Sequence, residues 1–162
     1  MRAIGHVVRF ALGSFLAFSA VCAWAQVPSY GTSINLEQAK KVLAAAQAEA
    51  RKNGWPVAIA VVDTSGLLVA YEKIDDTQTA SVWIAQDKAK SAAVYRRPTK
   101  VMEDAVAGGG AGIRFLNLRD ASAVEGGLPI TVGGKIIGAI GVSGAASNED
   151  GVVAKAGAEA LK

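Results

Sequence analysis

The stretch from Glu125 to Gly144, EGGLPITVGGKIIGAIGVSG, constrains the fold more than any other part of this chain. Gly133-Gly134 separates two apolar runs, Leu128–Val132 and Lys135–Val142. Two adjacent glycines there predict a type I′ hairpin, because both of its central residues need φ > 0. The second run contains IIGAIGV, apolar on both faces, and predicts a strand covered on both sides. Gly138 and Gly141 leave room where something must approach the backbone closely. A loop carrying Glu125-Gly126-Gly127 stands at the mouth of this hairpin, and the functional question is what that loop holds.

The first 25 residues have the pattern of a signal peptide. Arg2 and Arg9 precede an apolar run from Phe10 to about Val21, and Ala23-Trp24-Ala25 gives a small-x-small cleavage pattern before Gln26. The run falls short of the roughly 20 apolar residues that span a bilayer, so no membrane association is expected after cleavage. A periplasmic or secreted protein is the expectation. Cleavage removes the only cysteine (Cys22) and the only histidine (His6), and takes the 162-residue chain to 137 residues. The processed chain then has no disulfide, thiol nucleophile or imidazole. A Ser-His-Asp triad and a His/Cys metal cluster are both excluded, and no metal site is expected. Two basic residues and no acidic ones leave with the peptide, so the formal charge falls from +3 to +1. Nothing in that balance points to nucleic acid.

What remains is the size of one domain with a real core. Residues 26–34 read as a flexible leader from their Pro, Gly and Ser content, and residues 35–162 as a single domain. Asn35 with Gln38 predicts a capping box for a first helix, whose apolar face is Leu36, Ala39, Val42, Leu43, Ala46 and Ala50. Lys52-Asn53-Gly54 ends it. Val57–Val62 reads as a buried strand, and Leu67–Glu72 returns after the turn Asp63–Gly66. A second helix is expected over Ser81–Tyr95, with Val82, Ala85, Ala89 and Ala92 on one stripe. Lys88 lies at the margin of that stripe, able to lay its stem on the core and bring its ammonium to a pocket edge.

Pro98 breaks the second helix, and Thr99 is a good N-cap for a short third one through about Val106. Gly108–Gly112 lacks both the P-loop ending and the dinucleotide-binding context. Ile113–Ala123 is expected to add a strand, and Ser147 with Asp150 to open a final helix. The order predicts an α+β fold, an antiparallel sheet of about five strands flanked by helices.

Three segments, VAIAVVDTSG (Val57–Gly66), IAQDKAKSAAVYRRPT (Ile84–Thr99) and Glu125–Gly144, resemble the GlcG/HbpS family of haem-binding, profilin-like domains. The resemblance covers roughly Leu36 to Leu161. It implies a five-stranded antiparallel sheet in an α/β/α sandwich, assembly into homo-oligomers, and binding of haem or a related tetrapyrrole. It also implies haem degradation for some members. Haem iron is usually held by His, Cys, Met or Tyr, and the processed chain offers only Met102, Tyr30, Tyr71 and Tyr95. Tyr95 and Met102 are the candidate ligands, with Arg96 and Arg97 beside Tyr95 to pair with propionates.

Two functions compete on these residues. A module binding a small anionic ligand, haem included, would use the backbone of Gly126 and Gly127 with Lys88, Arg97 and Thr99. A small enzyme acting on a carbonyl or hydroxy acid would use Glu125 as base and Lys88 as acid or electrostatic stabiliser.

Overall fold

The computed structural model describes residues 27–162, so the signal-peptide pattern lies outside the described residues. The elements run α1 (Leu36–Asn53), β1 (Ala58–Val62), β2 (Leu68–Lys73), α2 (Ser81–Tyr95), α3 (Thr99–Ala107), a 3-10 helix (Gly110–Asn117), β3 (Gly127–Val132), β4 (Lys135–Ser143) and α4 (Ser147–Glu159). The strands form one antiparallel sheet in the order β2-β1-β4-β3. The glycine turn forms between β3 and β4, with φ of +56° at Gly133 and +74° at Gly134. Asn35 and Gln38 close the expected capping box on α1, and Gly54 takes the left-handed position at its end.

The residues of β1 divide the core. Ile59 and Val61 face one way, into a cluster with Val42, Leu43, Ala46, Val153 and Ala154 of α1 and α4. Ala58, Ala60 and Val62 face the other way, onto Ala85, Ala89, Ala92 and Ala93 of α2. Side chains this small let α2 lie almost directly on the sheet. A Cβ at Gly141 would fall 2.0 Å from the Ala85 carbonyl oxygen and 2.4 Å from the Ala89 nitrogen. The glycine is there because a helix backbone occupies that space.

The sheet has four strands among the described residues, one fewer than expected. The stretch read as a further strand, Ile113–Ala123, is instead the second half of the 3-10 helix and an irregular loop. Gly109 and Gly110 take φ of +70° and +54°, and the short helix then closes on itself through a Leu118 N–H to Phe115 carbonyl bond. The outer edge of β3 also carries Pro129, which has no N–H to offer a fifth strand.

Residues 27–34 form no helix or named strand, yet hydrogen bonds hold this leader. Ile136 N–H donates to the Ser29 carbonyl at 2.9 Å, Gly31 N–H to that of Ile136 at 2.8 Å, and Ile34 N–H to that of Ile137 at 2.7 Å. The leader takes the side of β4 that β1 leaves free beyond the Val62–Ala139 pair.

Candidate functional site

Lys88 sits where the α2 backbone closes on β3, and its buried side chain does not reach a pocket edge. Its ammonium nitrogen lies 2.8 Å from Asp150 Oδ2 in the first turn of α4, with side-chain exposures of only 2% and 3%. Asp150 Oδ1 accepts the Ala145 N–H at 3.1 Å. Burial raises the Asp150 carboxyl above its ordinary range, against the opposing pull of the Lys88 ammonium and the Ala145 amide. Both glycines of the Glu125-Gly126-Gly127 loop are needed here. A Cβ on Gly126 would fall 2.9 Å from the Lys88 ammonium, and one on Gly127 would fall 2.4 Å from the Lys88 carbonyl oxygen.

Thr99 completes this knot. It is fully buried, and its hydroxyl accepts the Gly127 N–H at 2.9 Å instead of capping α3. Lys88, Thr99, Gly126 and Gly127, singled out in the sequence, do come together, around Asp150. They satisfy one another. Glu125 stands at the rim, its N–H donated to the Glu103 carboxylate and its own carboxylate lying against Gly151 of α4.

The other candidates lie elsewhere. Met102, on α3, is fully buried, with Sδ 3.6 Å from Ser91 Oγ. Tyr95 donates its phenol to the Arg119 carbonyl at 2.6 Å, and Arg97 donates Nε to the Tyr95 carbonyl at 3.1 Å. Tyr30 donates to the Ala93 carbonyl at 2.8 Å. The Tyr71 hydroxyl is buried without a partner among the described residues, and burial pushes its pKa up.

A different place is open. Around edge strand β3, where both helical layers reach, lies a cavity of about 400 Å³. Half-buried Leu128 and Pro129 supply its apolar surface, Ile136 beside them being fully buried; Arg96 and Pro98 come from the α2–α3 corner, and Lys155, Glu159 and Lys162 from α4 and the residues after it. Lys162 pairs with Glu159 at 2.9 Å, whereas Arg96 and Lys155 form no ion pair among the described residues. Arg96 is held by its backbone, left-handed at φ +54° as it ends α2, and by the Tyr30 ring 5.5 Å from its guanidinium carbon. Sequence reasoning gave Arg96 only a minor part and overlooked Lys155, because the hairpin and the final helix are brought together only by the tertiary fold.

The family described as haem degrading protein HbpS-like matches residues 34–159, nearly the whole folded part. The chain belongs to the HbpS-like family. It is 42% identical over 110 residues to the protein GlcG of Escherichia coli K12, covering 68% of this chain and 81% of that one. A crystal structure of a double mutant of Streptomyces reticuli HbpS superposes with a TM-score of 0.75 at 26% identity, covering 100% of this chain and 99% of that one. The crystal structure of a PduOC–haem complex shares the fold, with a TM-score of 0.73 at 22% identity over 81% of this chain and 96% of that one.

The residues of this HbpS-like chain fit one part of haem and not another. A flat apolar ring with carboxylates at its edge matches an apolar surface flanked by Arg96 and Lys155. The iron has no partner there: among the described residues no histidine, cysteine, methionine or tyrosine lines the cavity. The tyrosines at 30 and 95 are spent on backbone carbonyls, and Met102 is enclosed by protein.

Proposed function

We propose that this protein is an exported binder of a carboxylate-bearing tetrapyrrole, haem being the ligand its family points to. The observation that carries the reading is the cavity around β3, with apolar surface from Leu128 and Pro129 and two cations that form no ion pair among the described residues. A macrocycle laid against Leu128 and Pro129 brings its carboxylates to Arg96 and Lys155. Membership of a family described as haem degrading and the haem complex of PduOC support the choice of ligand class. The signal-peptide pattern of residues 1–25 supports export. Exposed Leu67, Trp83 and Leu116 support assembly into homo-oligomers, since exposed apolar side chains favour association.

The enzyme reading with Glu125 and Lys88 is not favoured, because Lys88 is sealed from solvent and committed to Asp150. The test is a titration of the purified protein with hemin, followed at the Soret band. A saturable shift at micromolar hemin is expected; a shift no larger than that given by a non-binding control protein removes the reading.

A further inference from the structure

We infer that the cavity around β3 recognises the carboxylates and the ring of its ligand but not the metal, so that metal-free and iron-bound tetrapyrroles bind alike. This rests on the proposed tetrapyrrole reading and goes one step further, to what the site measures. Three observations carry it.

The first is the lining itself. The lining supplies prolines, aliphatic side chains, Thr131 and charged groups, and among the described residues no side chain that commonly holds haem iron. The second is the state of the candidate ligands elsewhere in the chain. Tyr30 and Tyr95 donate their hydroxyls to carbonyls at 2.8 and 2.6 Å, and Met102 is fully buried with its sulfur beside Ser91. Reaching an iron would break a hydrogen bond in the first two cases and open the core in the third, and Tyr71, its hydroxyl buried, lies on β2 at the opposite edge of the sheet from β3. The third observation is that the two cations stand ready. Arg96 is fixed by a left-handed backbone and by the Tyr30 ring, and Lys155 projects from the exposed side of α4.

Coordination by a protein side chain lets a site distinguish the metal-bound ring from the metal-free one. Without it, discrimination falls to charge-assisted hydrogen bonds at the carboxylates, which are among the stronger polar contacts a surface cavity can make. The ligand class is therefore a planar or near-planar dicarboxylate tetrapyrrole, whatever its centre.

The experiment measures dissociation constants for hemin, metal-free protoporphyrin IX and protoporphyrin IX dimethyl ester by absorbance and fluorescence titration. Hemin and the metal-free acid should agree within about threefold, and the ester should bind at least about tenfold more weakly, a difference of roughly 1.4 kcal/mol. Arg96→Gln/Lys155→Gln should weaken both acids by the same factor. Bound hemin should keep a spectrum without low-spin features, unchanged in Tyr95→Phe and Met102→Leu. Hemin binding tenfold or more tighter than the metal-free acid overturns the inference and leaves the haem reading standing. An ester that binds as well as the acid also overturns it. Saturation by none of the three removes the tetrapyrrole reading itself.

Discussion

Lys88 on α2 and Asp150 on α4 meet at 2.8 Å although their helices pack on opposite faces of the sheet. They reach each other beside the start of β3, past two glycines that leave the necessary space. The pair thus fastens one helical layer to the other at one end of the fold. Removing one partner strands a charge in a dry site. Lys88→Met and Asp150→Asn should each cost about 3–5 kcal/mol in denaturant unfolding. The double variant Lys88→Met/Asp150→Leu should recover most of that loss, because nothing charged is left buried.

The same pair sets a pH dependence. The Asp150 carboxyl is raised above its ordinary value of 3.8, chiefly by burial. The folded chain therefore binds this proton more tightly than the unfolded chain. The contribution favours folding below the ordinary aspartate value and is lost as pH rises through the raised one. Unfolding free energies of the native chain and of Lys88→Met/Asp150→Leu, measured from acid pH upward, isolate the effect. The difference should move against the native chain across that window; movement in its favour would mean that the Lys88 attraction outweighs burial.

Thr99 offers a finer test. Its hydroxyl is the acceptor for the buried Gly127 N–H. Thr99→Val keeps the shape and removes the acceptor, so it should cost about 1–3 kcal/mol, the penalty for an unsatisfied buried donor. Thr99→Ser should cost less. If the two variants are equally destabilised, packing of the methyl outweighs the hydrogen bond.

Much of this was legible in the residues. The Gly133-Gly134 hairpin, the Asn35 cap and α2 over Ser81–Tyr95 follow from local rules, and all are present in the structure. The stretch after Gly112 misled, because an apolar sequence such as IRFLNL has no period that separates a strand from a short tight helix. Lys88 was singled out for sound reasons, yet its environment depends on Asp150, 62 residues away. The small residues of α2 hinted at burial, but only the packed sheet shows that they leave the lysine no exit. Likewise Arg96 and Lys155 share a cavity because β3 lies between their helices, a relationship that no local pattern encodes.

The proposed ligand site is the cavity around β3 and not the Glu125-Gly126-Gly127 loop. Hemin affinity, measured side by side in two double variants, tests it directly. Arg96→Gln/Lys155→Gln should raise the dissociation constant by about tenfold or more while leaving unfolding stability nearly unchanged. Lys88→Met/Asp150→Leu should bind hemin as the native chain does. The reverse pattern, with binding lost when the buried pair is replaced and kept when Arg96 and Lys155 are neutralised, would contradict the assignment and return the site to the loop.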